Sequence, residues 1–475
     1  MKPNILFIIT DDQRHNALCA AGNPDIITPN LDALAARGTM FTQAHIPCGT
    51  SAAVCMPSRA MLHSGRKLFS LSGCGETIPP EHTTMPEVFK ASGYDTFGCG
   101  KWHNGTPAFA RGFTGGDNIF FGGMWDHWNV PVSRHDPTGE YDNVINFTAN
   151  FAYSKNIMRV HCDKFNPGVH STELLTDTAI NYLNSVSITN DNKANIPFFL
   201  YLSYLAPHDP RTMPQKFKDM YDPAKITLPA NYMAEHPFPF GIENIRDEML
   251  AAQPRKEPEI REHIADYYAM ITHLDHEIGH LMDSLQKNNL TDNTIIVFTS
   301  DNGLAVGSHG LMGKQNHYEH SVRVPLIMAG PGVPKAKKVD KYVYLLDIFP
   351  TLCDLCGLHI PDSVEGKSFA PMLTGCNYAN PDFATCTTAR EVLYFVYNDL
   401  IRSVKNDRYK LIEYRNHANC SQLFDLLNDP YEINDLAADP SYTETLAQMK
   451  KLLCEQRVEW SDFEHPLSQS FWSEG

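Results

Sequence analysis

The chain has 475 residues, 39 Lys and Arg against 55 Asp and Glu, a formal charge of −16 and 43% apolar residues. That length holds up to about three ordinary domains, and charge at 20% of residues is too dilute for intrinsic disorder. The acidic balance excludes nucleic acid and anionic membrane as nonspecific partners, because neither gains from counterion release.

In chain order, the first predicted element is a strand over residues 4–10, a short apolar run ended by Asp11 and Asp12. A helix over 29–37 stops at Gly38, and a second over 85–92 stops before Gly93. A strand over 96–100, a helix over 170–186 and a strand over 197–204 follow. A long helix over 262–287 precedes strands over 294–299 and 325–329. Strands alternating with helices predict an α/β fold: a large, mostly parallel sheet sandwiched by helices. After about residue 380 the pattern changes. Segments 391–397, 401–404, 409–414 and 422–426 have hairpin spacing, and a terminal helix runs over 442–457. The division is therefore a catalytic α/β domain over 1–380 and a small antiparallel sheet with a helix over 381–475.

No apolar run approaches the 18 residues or more that cross a bilayer, so no membrane span is expected. The polar pair at Asp11 and Asp12 leaves too short an apolar stretch for a signal peptide, which reads as cytoplasmic, or as periplasmic or secreted if a leader was trimmed. Twelve irregularly spaced cysteines predict buried thiols rather than a disulfide framework.

Polar residues gather just past the ends of the predicted strands: Asp11 and Asp12, Lys101 and His103, His208, then Asp301 and Asn302. In open α/β sheets ligands bind at that edge. Each residue alone reads equally as a turn former or helix cap. Pro57 suits the first turn of a helix, which sets Cys55 at an anion-favouring N-terminus with Arg59 and Arg66 adding charge. The competing reading of Cys55 is a buried thiol opening a core helix.

The run from Cys55 to Arg66 resembles, without a mismatch, the signature C-x-P-S-R-x-x-L-x-x-G-R of the type I sulfatases, members of the alkaline-phosphatase-like superfamily. The resemblance implies that a separate maturation enzyme oxidises Cys55 to formylglycine, whose hydrate is the nucleophile. It implies a Ca²⁺ site, with Mg²⁺ as the alternative, made by Asp11, Asp12, Asp301, Asn302 and the modified residue 55. Hard oxygen donors suit such an ion. Gly100-Lys101-Trp102-His103 matches a family element in which Lys101 neutralises sulfate and His103 is the base that ejects it. Ala206-Pro207-His208 matches one that supplies the general acid, and Gly313-Lys314 one whose lysine contacts sulfate. Arg59 joins Lys101 and Lys314 in holding sulfate oxygens. Asn104 departs from the family's commoner leucine. The implied partner is a sulfated small molecule or glycan, taken by its terminal group because the positive pocket sits in an acidic body. Within the same fold the alternatives are an aryl or choline sulfatase and a phosphonate or phosphoester monoesterase. An anion-binding protein without catalysis would require Cys55 to stay unmodified.

A loop from Gly122 carries Trp125, His127 and Trp128, followed by Arg134, His135 and Asp136. It reads equally as a sugar-gripping segment and as an aromatic anchor. His276, Glu277 and His280 form an H-E-x-x-H, the zinc-hydrolase pattern, in an otherwise ordinary amphipathic helix. Gly279 counts against the rigid helix that such a site needs. Cys353 and Cys356 read as core thiols.

Overall fold

Asn4–Thr10 (β1) is buried at every position and has a parallel partner on each side, which is why its sequence is continuously apolar rather than alternating. The computed structural model describes residues 2–148, 152, 155–190, 196–374 and 389–473. The other strands of the large sheet are Gly38–His45 (β2), Asp95–Lys101 (β3), Gly115–Phe120 (β4), Phe198–Ser203 (β5), Thr294–Ser300 (β6), Arg323–Ala329 (β7) and Lys337–Val339 (β8). Their order is β8-β2-β7-β6-β1-β5-β3-β4, with Val343–Tyr344 also on β2. From β6 through β4 the sheet is parallel, whereas β7 runs antiparallel to both β6 and β2.

Two apolar layers cover the two faces. Ile5, Phe7 and Ile9 point into one, filled from Cys55–Ser64 (α2), Met85–Ala91 (α3) and Ile348–Cys356 (α6) by residues such as Met61, Phe89 and Phe349. Leu6 and Ile8 point into the other, against Pro29–Arg37 (α1), Ser171–Asn190 (α4) and Glu257–Lys287 (α5). This is the predicted sandwich. The smaller sheet, Leu393–Tyr397 (β9), Ile401–Lys405 (β10), Tyr409–Tyr414 (β11) and Cys420–Asp425 (β12), is an antiparallel meander backed by Thr443–Glu459 (α7). Its apolar residues belong to the same layer as Phe7, so core packing is continuous between the two sheets. The expected division at 380 and 381 lies outside the described residues.

The sequence reading does not include β2 or β4. In β2 the polar Thr39, Thr42 and Gln43 interrupt the apolar pattern, and the turn at Gly38 reads as a helix stop. Among the described residues no helix is long and apolar enough to cross a membrane. Cys353 and Cys356 are buried thiols in α6.

The start of α1 is held by Asp275 of α5. Its carboxylate accepts from Asn30 N at 3.1 Å and Leu31 N at 2.7 Å, serving N–H groups that have no partner within α1. Gly279, four residues on, gives α5 its close approach: a Cβ there would lie 2.7 Å from Asn30 Oδ1. Replacement Asp275→Ala is expected to lower stability by about 1–3 kcal/mol, read as a drop in Tm. An unchanged Tm would show that α1 is held by packing alone.

Candidate active site

The register of the large sheet sets the site. Thr10 lies opposite Ser300, Ile9 opposite Ser203, and Ser203 opposite Gly100, so four parallel strands end at one level. Asp11 and Asp12, Asp301 and Asn302, and Lys101 are the next residues or the last of each strand. Gly100 permits this closeness: at φ +89° its missing Cβ would sit 1.9 Å from Ser203 O. Asp12 takes a left-handed turn at φ 70°, which aspartate tolerates, and its N–H donates to Asp301 Oδ1 at 3.2 Å. Helix α2 begins at Cys55 beside this edge, fixed to it by Ser58 Oγ donating to Asp301 O at 2.6 Å.

Three buried carboxylates are each matched by one cation. Lys101 Nζ reaches Asp11 Oδ2 at 2.5 Å, Lys314 Nζ reaches Asp12 Oδ1 at 2.5 Å, and Arg59 Nε reaches Asp301 Oδ2 at 2.7 Å. Burial would raise both Asp12 and Asp301, but Lys314 at the first and Arg59 with Lys101 at the second hold them below the usual carboxylate range. Asp11 goes the other way, pushed up to about 6 by burial and by the charge of Asp301. Asp11 Oδ1 and Asn302 Oδ1 are buried without any hydrogen-bond partner, while the Asn302 amide donates to Asp12 Oδ1 at 2.6 Å. Donor atoms of Asp11, Cys55 and Asp301 lie within 4.8 Å of one another, as do those of Asp11, Asp12 and His208. Converging hard oxygens, two of them unsatisfied, fit a Ca²⁺ or Mg²⁺ ion.

Cys55 Sγ is 3.4 Å from His103 Nδ1 and 3.6 Å from Lys101 Nζ. Burial raises the Cys55 thiol, and Lys101 and Lys314 only partly oppose that. His103 is pushed down to about 2 by burial and by Lys101, Arg59 and Lys314, so it is a neutral imidazole. His208 Nδ1 donates to Asp209 O at 2.8 Å, and its Nε2 stands 3.7 Å from Asp12 Oδ2. Cys55, His103, His208 and Lys314 line one cavity of about 240 Å³, walled also by Gly123, Met124 and Arg246.

The structure thus brings every residue of the predicted catalytic and metal sets to one edge. Arg59 and Lys101 are 1% and 0% exposed and grip Asp301 and Asp11, with Lys101 Nζ also 3.6 Å from Cys55 Sγ. Arg59 also donates to Ser203 Oγ at 2.6 Å. Arg66 turns away, to the carbonyls of Ser70 and Ser363. The loop expectation divides. His127 is buried and donates from Nε2 to His208 O at 2.9 Å while Nδ1 takes the Ser171 hydroxyl at 2.7 Å, so it braces His208. Trp125 packs on Phe147 and Phe165, Arg134 is exposed, His135 packs on Phe109, and Asp136 closes its own turn onto Thr138. None of these four lines the cavity. The loop enters the site through its backbone instead, where Gly123 O accepts from Lys101 Nζ at 2.6 Å.

Other supports were not read from sequence. Glu248 accepts from Met312 N and Gly313 N and pairs with the buried Arg255, which seats the loop bearing Lys314. Arg246 binds Asp209 and Asp247, and Gln315 joins Asp247 to Ala52 O across the rim. Asn104, the departure from the family pattern, is 1% exposed and donates to Met56 O at 2.9 Å and Gly75 O at 2.6 Å, tying down the start of α2. A leucine cannot make those bonds.

The H-E-x-x-H residues also assemble, with donor atoms of His276, Glu277 and His280 within 4.8 Å of one another, on α5. They share no residue with the cavity at Cys55.

A family model described as Sulfatase matches residues 3–358, and one described as N-sulphoglucosamine sulphohydrolase, C-terminal, matches residues 307–459. A protein named Sulfatase from Formosa agariphila is 30% identical over 482 residues, covering 97% of this chain and 88% of that one. An ulvan-active sulfatase of the same organism is 30% identical over 499 residues, covering 98% and 84%. Among solved structures, one in complex with its substrate D-glucosamine-2-N,6-O-disulfate superposes with TM-score 0.76 at 23% identity, covering 98% of this chain and 99% of that one.

Proposed function

The chain belongs to the sulfatase family, and from that premise we propose that it removes sulfate from the terminal group of a sulfated carbohydrate, using residue 55 as formylglycine and Ca²⁺ at Asp11, Asp12, Asp301 and Asn302. The observation that carries this reading is that one small cavity, lined by the signature cysteine, Lys314 and two histidines, adjoins an under-satisfied hard-oxygen cluster whose Asp11 and Asp301 have donor atoms within 4.8 Å of Cys55 Sγ. Sulfatase activity itself is the family's; the glycan substrate is supported by the ulvan-active relative.

Cys55 Sγ stands where the hydrated aldehyde of formylglycine would present its two oxygens, one to attack sulfur and one through which sulfate is later expelled. A Ca²⁺ ion at the four oxygen donors would add Lewis-acid polarisation of a sulfate oxygen. Lys314 lines the cavity and meets the sulfate charge directly. Lys101 and Arg59 act one step back by keeping Asp11 and Asp301 ionised and in place. His103 is neutral and 3.4 Å from the position-55 atom, so it accepts a proton there. An arriving sulfate offsets the three cations that depress it. Because Nδ1–H of His208 is committed to Asp209 O, this residue can donate to a leaving oxygen only from Nε2, which stands 3.7 Å from Asp12 Oδ2. The cavity of about 240 Å³ is below the usual lower bound of about 300 Å³ for small-molecule sites, which suits a sulfate and part of one ring rather than an internal segment.

Matured protein is expected to release sulfate from members of a panel of sulfated mono- and disaccharides, and Cys55→Ala to abolish it. Turnover of aryl sulfate alone would overturn the carbohydrate reading, and full turnover by Cys55→Ala the mechanism. Chelation should remove activity and added Ca²⁺ restore it, with Asn302→Ala weakening Ca²⁺ by at least about tenfold. Full activity in metal-free protein would refute that site. For His208→Gln, kcat should fall about 10²–10⁴-fold on sugar sulfates. It should fall far less on an aryl sulfate whose leaving phenolate needs no proton. Equal losses on both would remove His208 as the acid.

A further inference from the structure

A second group of metal-ligating side chains lies on the outer face formed by α4 and α5. His276 and His280 are one turn apart, with ring centroids 4.5 Å from each other, and Glu277 Oε2 is 3.5 Å from His280 Nδ1. Glu277 is 7% exposed despite its charge, and burial pushes its carboxyl above the usual range. It also belongs to an inner set: donor atoms of Glu173 on α4 and of His273 and Glu277 on α5 lie within 4.8 Å of one another. His273 is 1% exposed, neither ring nitrogen has a hydrogen-bond partner, and its Nε2 faces Glu173 Oε1 at 3.5 Å. A buried imidazole with no hydrogen-bond partner, set within 4.8 Å of two carboxylates, one of them buried, points to a cation. Asp177 of α4 adds negative charge near Glu277, and Lys216 opposes it near His276 and His273. A groove of about 240 Å³ opens beside His280, so water can complete the coordination.

We propose that His276, Glu277 and His280 bind one divalent transition-metal cation of the zinc class, with the carboxylate of Glu173 on α4 adding negative charge beside it. Imidazole with carboxylate selects zinc-class ions over calcium, whereas the all-oxygen set at Asp11 and Asp301 selects the reverse. The helix is continuous through Gly279, whose role is contact with Asn30, so the two histidines keep their one-turn spacing. The site is structural, and it stands or falls independently of the sulfatase cavity.

The full chain, saturated with Ca²⁺, would be titrated with Zn²⁺ by calorimetry and with Co²⁺ followed by its visible absorption. One Zn²⁺ per chain and a Zn²⁺-dependent rise in Tm are expected. His280→Gln, at a half-exposed position, should weaken binding at least about tenfold, and His276→Gln with His280→Gln should abolish both signals while leaving sulfate release intact. Absence of Zn²⁺ uptake by the parent, or uptake and Tm rise undiminished in the double variant, would overturn the proposal.

Discussion

Three carboxylates lie out of water at one sheet edge, and each is matched to a single cation: Asp11 to Lys101, Asp12 to Lys314, Asp301 to Arg59. Burying such pairs costs desolvation that their attraction only roughly repays, and deleting one partner costs about 3–5 kcal/mol. The rest of the catalytic end is arranged to meet that condition. Gly100 lets two strands approach closely enough for Lys101 to reach Asp11, Ser203 takes a guanidinium N–H that Asp301 does not, and Glu248 holds the loop that delivers Lys314. A one-to-one balance is neutral before any divalent ion arrives. A divalent cation held there would make the pocket positive inside a chain of charge −16 and confine attraction for anions to that spot.

The same pairing explains how far the sequence could be read. Strands β1, β3, β5 and β6 are short apolar runs ended by polar residues, so both their existence and the edge they share were legible. What was not legible is which side of that edge a side chain faces. On a list of charges Arg59 and Lys101 read as anion ligands, and the buried pairs they make with Asp301 and Asp11 do not show in it. Nothing in their spacing distinguishes the two uses. In the loop from Gly122, composition suggested sugar contact by Trp125, His135 and their neighbours, while packing assigns the aromatic rings to one another and gives the active site only Gly123 O, Met124 and the brace from His127. Backbone contributions of this kind leave no trace in residue type.

Strand β2 was missed for a related reason. It pairs on both sides and is largely buried, but four polar residues in eight, Thr39, Thr42, Gln43 and His45, erase the apolar signal. Thr39 and Thr42 pay no penalty there, because their hydroxyls donate to Pro334 O and Val339 O. At the other end of the chain the small sheet was read correctly as a meander, whereas its dependence on the large one was hidden. Glu319, just before β7, takes Lys405 and Lys410 from the small sheet at 2.8 and 3.0 Å, and Glu432 takes Lys410 at 2.8 Å, a buried charge network that spans both sheets.

The small sheet has a fifth member from far upstream. Cys48–Gly49 lies parallel to β9, with Cys48 opposite Val396 and Gly49 opposite Tyr397, and Gly49 abuts Pro57 of the signature helix. The segment leading into residue 55 therefore acquires its final backbone partner only when the chain has been made as far as residue 397. Once it does, residue 55 is 2% exposed beside a cavity of about 240 Å³. The approach to residue 55 thus depends on a strand from the far end of the chain.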